Sequence, residues 1–198
     1  MNTSDKIPSF TIVVAVQDQA EALQRYLPAL QGQQYSDFQI VVVDESSTDN
    51  TSDLLSSMRE TDARLYSTFV PRYHFQRNPR RLALTIGVKA AQCEWVVLAD
   101  ADGFTPSETW LSELSVFAIS PHQLMLGYVK RKTGEVQLKT FENLQQAKSL
   151  ITKTELQRLS GGNRLAGLLH RDYDFIVVRR DLAHELLRLF ESTKQCRL

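Results

Sequence analysis

Apolar residues in the first half of the chain fall into short continuous runs separated by polar, helically spaced segments. Phe10–Val16 is apolar and β-branched almost throughout, the pattern of a strand buried on both faces. Gln17-Asp18-Gln19 ends it, and Ala20–Gln31 then sets Leu23, Tyr26, Leu27 and Leu30 at helical spacing. Residues 38–43 predict a second buried strand, followed by the polar loop Asp44-Glu45-Ser46-Ser47-Thr48-Asp49-Asn50. That loop supplies several N-cap candidates for a helix over 51–59. A weaker strand is predicted at 65–70. Residues 79–92 predict a helix with Leu82, Ala83, Ile86 and Ala90 facing inward, and 94–98 a fourth strand that runs into Asp100-Ala101-Asp102-Gly103.

Such alternation argues for an α/β fold, a mostly parallel central sheet whose strands are joined by right-handed crossovers. In these sheets ligands bind beyond the carboxyl ends of the strands. Asp18, Asp44, Glu45, Asp100 and Asp102 all follow predicted strand ends, so the rule gathers them at one edge. The second half reads differently. Residues 106–119 predict a helix with Trp110, Leu111, Leu114 and Phe117 on one side. Segments 124–130 and 135–138 predict a small antiparallel hairpin around Lys132-Thr133-Gly134. A long amphipathic helix is predicted over 141–159, broken by Gly161-Gly162, then a strand over 173–178 and a helix over 181–191.

Length and charge narrow the function classes. The 198 residues suit one domain, and a chain of that length buries a core without disulfide or metal staples. No linker composition divides it. Lys plus Arg and Asp plus Glu both number 23, a balance that gives no support for a nucleic-acid partner. Cys93 and Cys196 lie far apart and outside any CxxC or Cys/His pattern, the usage of a reduced, cytoplasmic protein. No apolar run is long enough to span a bilayer, so any membrane association is expected to be peripheral, at the inner membrane.

Asp100 and Asp102, two carboxylates separated by Ala101 at the end of a buried strand, can hold a hard divalent cation, Mn or Mg, which prefers oxygen ligands. Such a cation would bridge diphosphate oxygens. In the loop after the second strand, Thr48, Asp49 and Asn50 read as turn and cap residues, whereas Asp44 and Glu45 can accept hydrogen bonds from a base imide or a ribose hydroxyl. Asp100-Ala101-Asp102-Gly103 also suggests the first motif of haloacid-dehalogenase-type phosphatases. That motif belongs on a first strand, however, and Phe104 interrupts it before Thr105. No Gly-rich loop follows the first strand, which argues against a dinucleotide-binding dehydrogenase.

Four segments taken together, Thr11–Asp18, Val41–Thr51, Leu82–Ala91 and Val97–Asp102, resemble the family 2 glycosyltransferases, which have the GT-A (Rossmann-like) fold. The likeness covers residues 9–112 and extends through Pro106 and Trp110-Leu111; segment 82–91 is similar in particular to a group from Bacteroidetes-type bacteria. The resemblance implies transfer of a sugar from a UDP- or GDP-sugar donor to a glycan or lipid-linked acceptor, metal-assisted and inverting, in polysaccharide or cell-envelope glycan synthesis. It assigns Ala15, Val16 and Gln17 to the base pocket, Asp44 and Glu45 to base and ribose, and Asp100, Ala101 and Asp102 to diphosphate and metal, with Asp102 the better ligand. It divides the chain into a nucleotide-sugar half, 9–112, and an acceptor-side half, 113–198, within one domain over 1–198.

The chain departs from the family pattern at three places. Pro-x-Tyr-Asn-Glu is replaced by Ala15-Val16-Gln17-Asp18-Gln19. Ala-Arg-Asn is replaced by Ala83-Leu84-Thr85, which loses an arginine that Arg80 or Arg81 can replace, and Arg81 is expected to contact the donor. The catalytic Glu-Asp pair and the Gln-x-x-Arg-Trp motif are not found after Phe190-Glu191-Ser192, so the acceptor-side half reads as shortened. Asp172 and Asp174 remain as candidates for the base that deprotonates the acceptor hydroxyl. A catalytically impaired nucleotide-sugar-binding or partner protein stands as the alternative.

Overall fold

A computed structural model describes residues 7–71, 79–130, 133–148 and 174–192. In chain order the elements are β1 (Phe10–Val16), α1 (Ala20–Gln31), β2 (Phe38–Asp44), α2 (Thr51–Thr61), β3 (Leu65–Phe69), α3 (Pro79–Ala90), β4 (Trp95–Ala99), α4 (Trp110–Ser115), β5 (Leu124–Val129), β6 (Val136–Phe141), α5 (Leu144–Lys148), β7 (Phe175–Arg179) and α6 (Arg180–Ser192). The strands form one seven-stranded sheet in the order β3-β2-β1-β4-β7-β5-β6. β3, β2, β1 and β4 are parallel neighbours, whereas β7 runs antiparallel to β4 and β5, and β6 antiparallel to β5.

The continuous apolar character of β1 follows from its central place. Phe10, Ile12, Val14 and Val16 face a core shared with Leu23, Tyr26, Leu27 and Leu30 of α1 and Trp110, Leu111 and Leu114 of α4. Val13 and Ala15 face a second core with Ala83, Leu84 and Val88 of α3 and Ala183, Leu186 and Leu187 of α6. With both faces covered, no position of β1 tolerates a polar side chain unless it is paired; Thr11 bonds Gln39 Oε1 at 3.1 Å.

Three expectations are corrected. First, α3 buries Ala83, Leu84, Gly87 and Val88, while Leu82, Ile86 and Ala90 pack only at its flank. Gly87 decides that face. A methyl carbon at Gly87 would lie 2.3 Å from Val13 Cγ1, so the helix rests on β1 at its smallest residue. Second, the helix expected over 106–119 is confined to Trp110–Ser115. The stretch before it is tied instead to the turn after α1. Gln33 Nε2 donates to the Ser107 carbonyl at 2.5 Å and Gln34 N to the Glu108 carbonyl at 2.7 Å, which takes those carbonyls out of helical register. Beyond α4 the turn buries Ala118 and leaves Phe117 exposed. Third, Phe141 ends β6 opposite Leu124 rather than starting a helix. The helix starts at Leu144, where Asn143 Oδ1 accepts the Gln146 amide at 3.0 Å and Gln146 Oε1 the Glu142 amide at 3.0 Å, a variant of the capping box. The rest of the predicted helix, 149–159, lies outside the described residues. Among the described residues no helix is long and apolar enough to cross a membrane.

Candidate active site

The parallel block brings the carboxyl ends of β1, β2 and β4 to one edge. Val16 pairs with Asp44 across β1 and β2, and Val14 with Ala99 across β1 and β4. Asp44, Glu45 and Asp100 are therefore neighbours at the point where the chain, having stepped outward from β1 to β3, returns to the other side of β1. Open α/β sheets bind ligands in such a crevice. All three carboxylates are buried.

The loops after β1 and β2 are joined by a set of side-chain bonds. Asp44 Oδ1 accepts the Ser47 amide at 2.9 Å and the Ser47 hydroxyl at 2.5 Å, and that hydroxyl oxygen accepts the Asp18 amide at 2.8 Å. Asp18 Oδ1 accepts the Thr48 amide at 2.6 Å and its hydroxyl at 3.0 Å. These bonds, the amide's first, hold the Asp18 carboxyl below its usual range. Asp49 serves both flanking helices: Oδ2 accepts the Ala20 amide at 3.0 Å, and Oδ1 accepts the Thr51 amide at 3.0 Å and hydroxyl at 2.6 Å. Asp18 and Ser46 take left-handed backbone, φ 52° and 62°. Aspartate tolerates this conformation better than most residues. At Ser46 the hydroxyl bond to the Val70 carbonyl helps hold it. Strained backbone of this kind concentrates at ligand sites.

Arg80 knits the floor. Its Nη1 donates to the Ala15 carbonyl at 3.0 Å and to Glu45 Oε1 at 3.4 Å, and its Nη2 donates to Asp100 Oδ1. Burial pushes the Glu45 carboxyl above its ordinary range, and Arg80 pulls it back only in part. The signal for Arg80 was present in the sequence. Leu84, Gly87, Val88 and Ala91 form one buried helical stripe, and one turn back along it stands Arg80.

The remaining candidates distribute as follows. Ala15 and Val16 are fully buried, and it is their carbonyls that work, toward Arg80 and toward the Glu45 amide at 2.8 Å. Gln17 is exposed at the rim. Ala101 is buried and Asp102 exposed. Arg81 is half-buried, its carbonyl accepting the Thr85 hydroxyl at 2.8 Å. Asp174 sits apart, before β7, where its Oδ2 accepts the Val129 amide at 2.7 Å and braces β7 against β5. Asp172 lies outside the described residues.

A divalent cation fits Asp102 on one condition. Among the described residues no three His, Cys, Asp or Glu side chains gather into a cage, and Asp100 is engaged by Arg80. The donor set is therefore one exposed carboxylate with Asp100 near in sequence. That suits a cation whose shell is completed by phosphate oxygens and water, the usual mode for Mg-type ions.

A sequence profile described as "Glycosyl transferase family 2" matches residues 11–187. The chain belongs to glycosyltransferase family 2. Among solved structures, this family 2 chain is similar to the mannosyltransferase PcManGT from Pyrobaculum calidifontis, in complex with GDP-Man and Mn2+, at 20% identity and TM-score 0.61, covering 92% of this chain and 47% of that one. It is also similar to S. aureus TarS 1-349, at 19% identity and TM-score 0.58 over 90% of this chain and 49% of that one. The same protein in complex with UDP-GlcNAc matches at 24% identity and TM-score 0.52, over 62% of this chain and 34% of that one. The shared fold is the GT-A fold. The chain spans less than half the length of these neighbours. No curated protein matches.

Proposed function

We propose that this family 2 domain binds a UDP- or GDP-sugar across the ends of β1, β2 and β4 and transfers the sugar, with inversion, to a glycan or lipid-linked hydroxyl. One observation carries the reading: Asp44, Glu45 and Asp100, from the ends of two strands, converge with Arg80 in the crevice where the sheet order reverses. In this reading Asp44 and Glu45 accept hydrogen bonds from base and ribose, and Asp102 holds a Mn or Mg ion together with the diphosphate. When bound, the ion supplies positive charge for the departing diphosphate. Ala15 and Val16 shape the inner wall and Gln17 its rim. PcManGT in complex with GDP-Man and Mn2+, and TarS in complex with UDP-GlcNAc, lend support from the same fold. Residues 9–112 would form the donor half and 113–198 the acceptor half.

Calorimetry with UDP and with GDP, each with manganese, tests the donor site; binding by at least one is expected, and no binding by either at millimolar ligand refutes it. Asp174 favours a second reading. An inverting transfer needs a base facing the acceptor hydroxyl, and Asp174 Oδ2 is engaged by the Val129 amide, bracing β7 against β5. A donor-binding relative without turnover would bind nucleotide yet transfer nothing across a broad panel of donors and acceptors. Transfer that disappears in Asp102→Asn would exclude it.

A further inference from the structure

We propose that Phe104 is a positioning residue for Asp102: its ring seats the turn that presents this carboxylate to the crevice, and manganese-dependent donor binding relies on that seat. The inference rests on the donor-site reading above. Asp102 is an exposed side chain on a short turn after β4. One backbone bond closes the turn, from the Gly103 amide to the Asp100 carbonyl at 3.1 Å. Among the described residues, Asp102, Phe104 and Thr105 form no hydrogen bond that would fix it further. Two apolar points hold it instead, Ala101, which is buried in the core, and Phe104, which packs against that core. Asp102 stands between them.

Three elements make the seat of Phe104. Its ring centroid lies 5.3 Å from that of Trp110 in α4, 5.4 Å from that of Phe175 in β7 and 6.4 Å from that of Tyr26 in α1. The pairs with Trp110 and Tyr26 are edge to face, at 74° and 78°. At such separations aromatic pairs contribute beyond the burial of their area. Tyr26, Trp110 and Phe175 are each no more than 2% exposed, and Trp110 and Phe175 meet each other edge to face at 5.1 Å. They form a floor that stands without Phe104, and the partly buried Phe104 ring lies on it as the anchor of the turn.

The anchor is close enough to matter. Two Cα steps separate Phe104 from Asp102, a reach of at most about 8 Å, and Gly103 between them has no side chain with which to hold the turn. Oxygen ligands of a divalent cation must lie within about 0.2 Å of their proper distance. An exposed carboxylate on a turn without its anchor would spend much of its time out of place.

Two measurements on the whole chain test this. The first needs no metal: backbone amide order parameters from NMR relaxation. In Phe104→Ala the values for Ala101, Asp102 and Gly103 are expected to fall from about 0.85 to below about 0.6, while those of β4 stay as in the native chain. The second is calorimetry with UDP and with GDP in the presence of manganese. Phe104→Ala is expected to lower the affinity about tenfold, the usual effect of losing a group that orients a metal ligand. In an Asp102→Asn background the same change is expected to cost nothing further, because Phe104 acts through Asp102. Phe104→Leu, which fills part of the seat, is expected to fall between native and Phe104→Ala in both measurements. Leu30→Val makes a cavity in the same core at the other end of α1; it is expected to lower the melting temperature and leave both measurements native. If Phe104→Ala does not fold, Phe104→Leu decides: native order parameters and native affinity overturn the proposal. So do order parameters that stay native in Phe104→Ala, or a full loss of affinity in the Asp102→Asn background. A native chain that binds neither nucleotide refutes the donor site itself, and this role of Phe104 with it.

Discussion

Gly87→Ala adds one methyl group where α3 meets β1, and the structure gives the two opposing terms. The new carbon would stand 2.3 Å from Val13 Cγ1, well inside contact distance, and Val13 is fully buried with a β-branched side chain that cannot swing aside. Forcing an extra methyl into such packing costs about 1–3 kcal/mol. Against this, alanine is favoured over glycine inside a helix by about 1 kcal/mol. The expected net loss is about 1 kcal/mol, a fall in Tm of about 2–4 °C for a chain of this size. The sharper test is a double-mutant cycle. Val13→Ala alone should cost about 2 kcal/mol, for two buried methyl groups and the space they leave. In that background the obstructing Cγ1 is gone, and the next neighbours, Val13 Cβ and Val43 Cγ2, lie at ordinary contact distance, 3.5 Å. Gly87→Ala should then become neutral or stabilising by about 1 kcal/mol, a coupling of at least about 1 kcal/mol between the two sites. Urea denaturation of the four proteins, followed by circular dichroism, measures it. Equal cost of Gly87→Ala in both backgrounds would refute the close approach of α3 to β1, and with it the placement of Arg80.

Three further outcomes are expected. Gln33→Leu strands the buried Leu111 amide, which Gln33 Oε1 accepts at 3.0 Å, and cuts the bond to the Ser107 carbonyl. At about 2–3 kcal/mol the melting temperature should drop by about 4–12 °C; a variant as stable as the native chain contradicts the buried bridge. Asp102→Asn changes an exposed side chain, so stability should stay within about 0.5 kcal/mol, while manganese-dependent nucleotide affinity falls at least about tenfold, the worth of roughly one charge-assisted contact; unchanged manganese dependence would move the metal elsewhere. Asp18 has a folded-state pKa below its unfolded value, so its contribution to stability is present above the unfolded pKa of about 4 and is lost as pH falls below it. Asp18→Asn should therefore flatten the acid side of a plot of Tm against pH below about 4, and a slope identical to the native chain's would count against the Asp18–Thr48 bonds.

β1, β2 and β4 were legible because each is apolar on both faces and ends in a polar loop, whereas β3, an edge strand with Tyr66 and Phe69 exposed, gave a weaker pattern; β1 and α1 match their expected bounds. Helix faces were harder. The pattern 82, 83, 86, 90 and the pattern 83, 84, 87, 88 both have helical spacing, and only the approach of Gly87 to Val13 chooses between them. The shortening of the helix before Trp110 was invisible because its cause, Gln33, lies 74 residues away from Ser107. The start of α5, by contrast, was written in Asn143 and Gln146 and was outweighed by the apolar spacing from Phe141. Asp44, Glu45 and Asp100 were readable as strand-end acids, and Arg80, the partner of Glu45 and Asp100, only by way of the buried stripe of α3.

Asp49 ties together the first turns of two helices, its two oxygens reaching Ala20 in α1 and Thr51 in α2. Neither helix can fray at its start without the other losing a partner. Amide hydrogen exchange reports such openings as cooperative units. The amides of Asp18, Ala20, Thr48 and Thr51 should therefore exchange at one common rate, and Asp49→Ala should speed all four together. The rim of the crevice would then open and close as one piece, with α1 and α2 moving as a single hinge plate over β1 and β2.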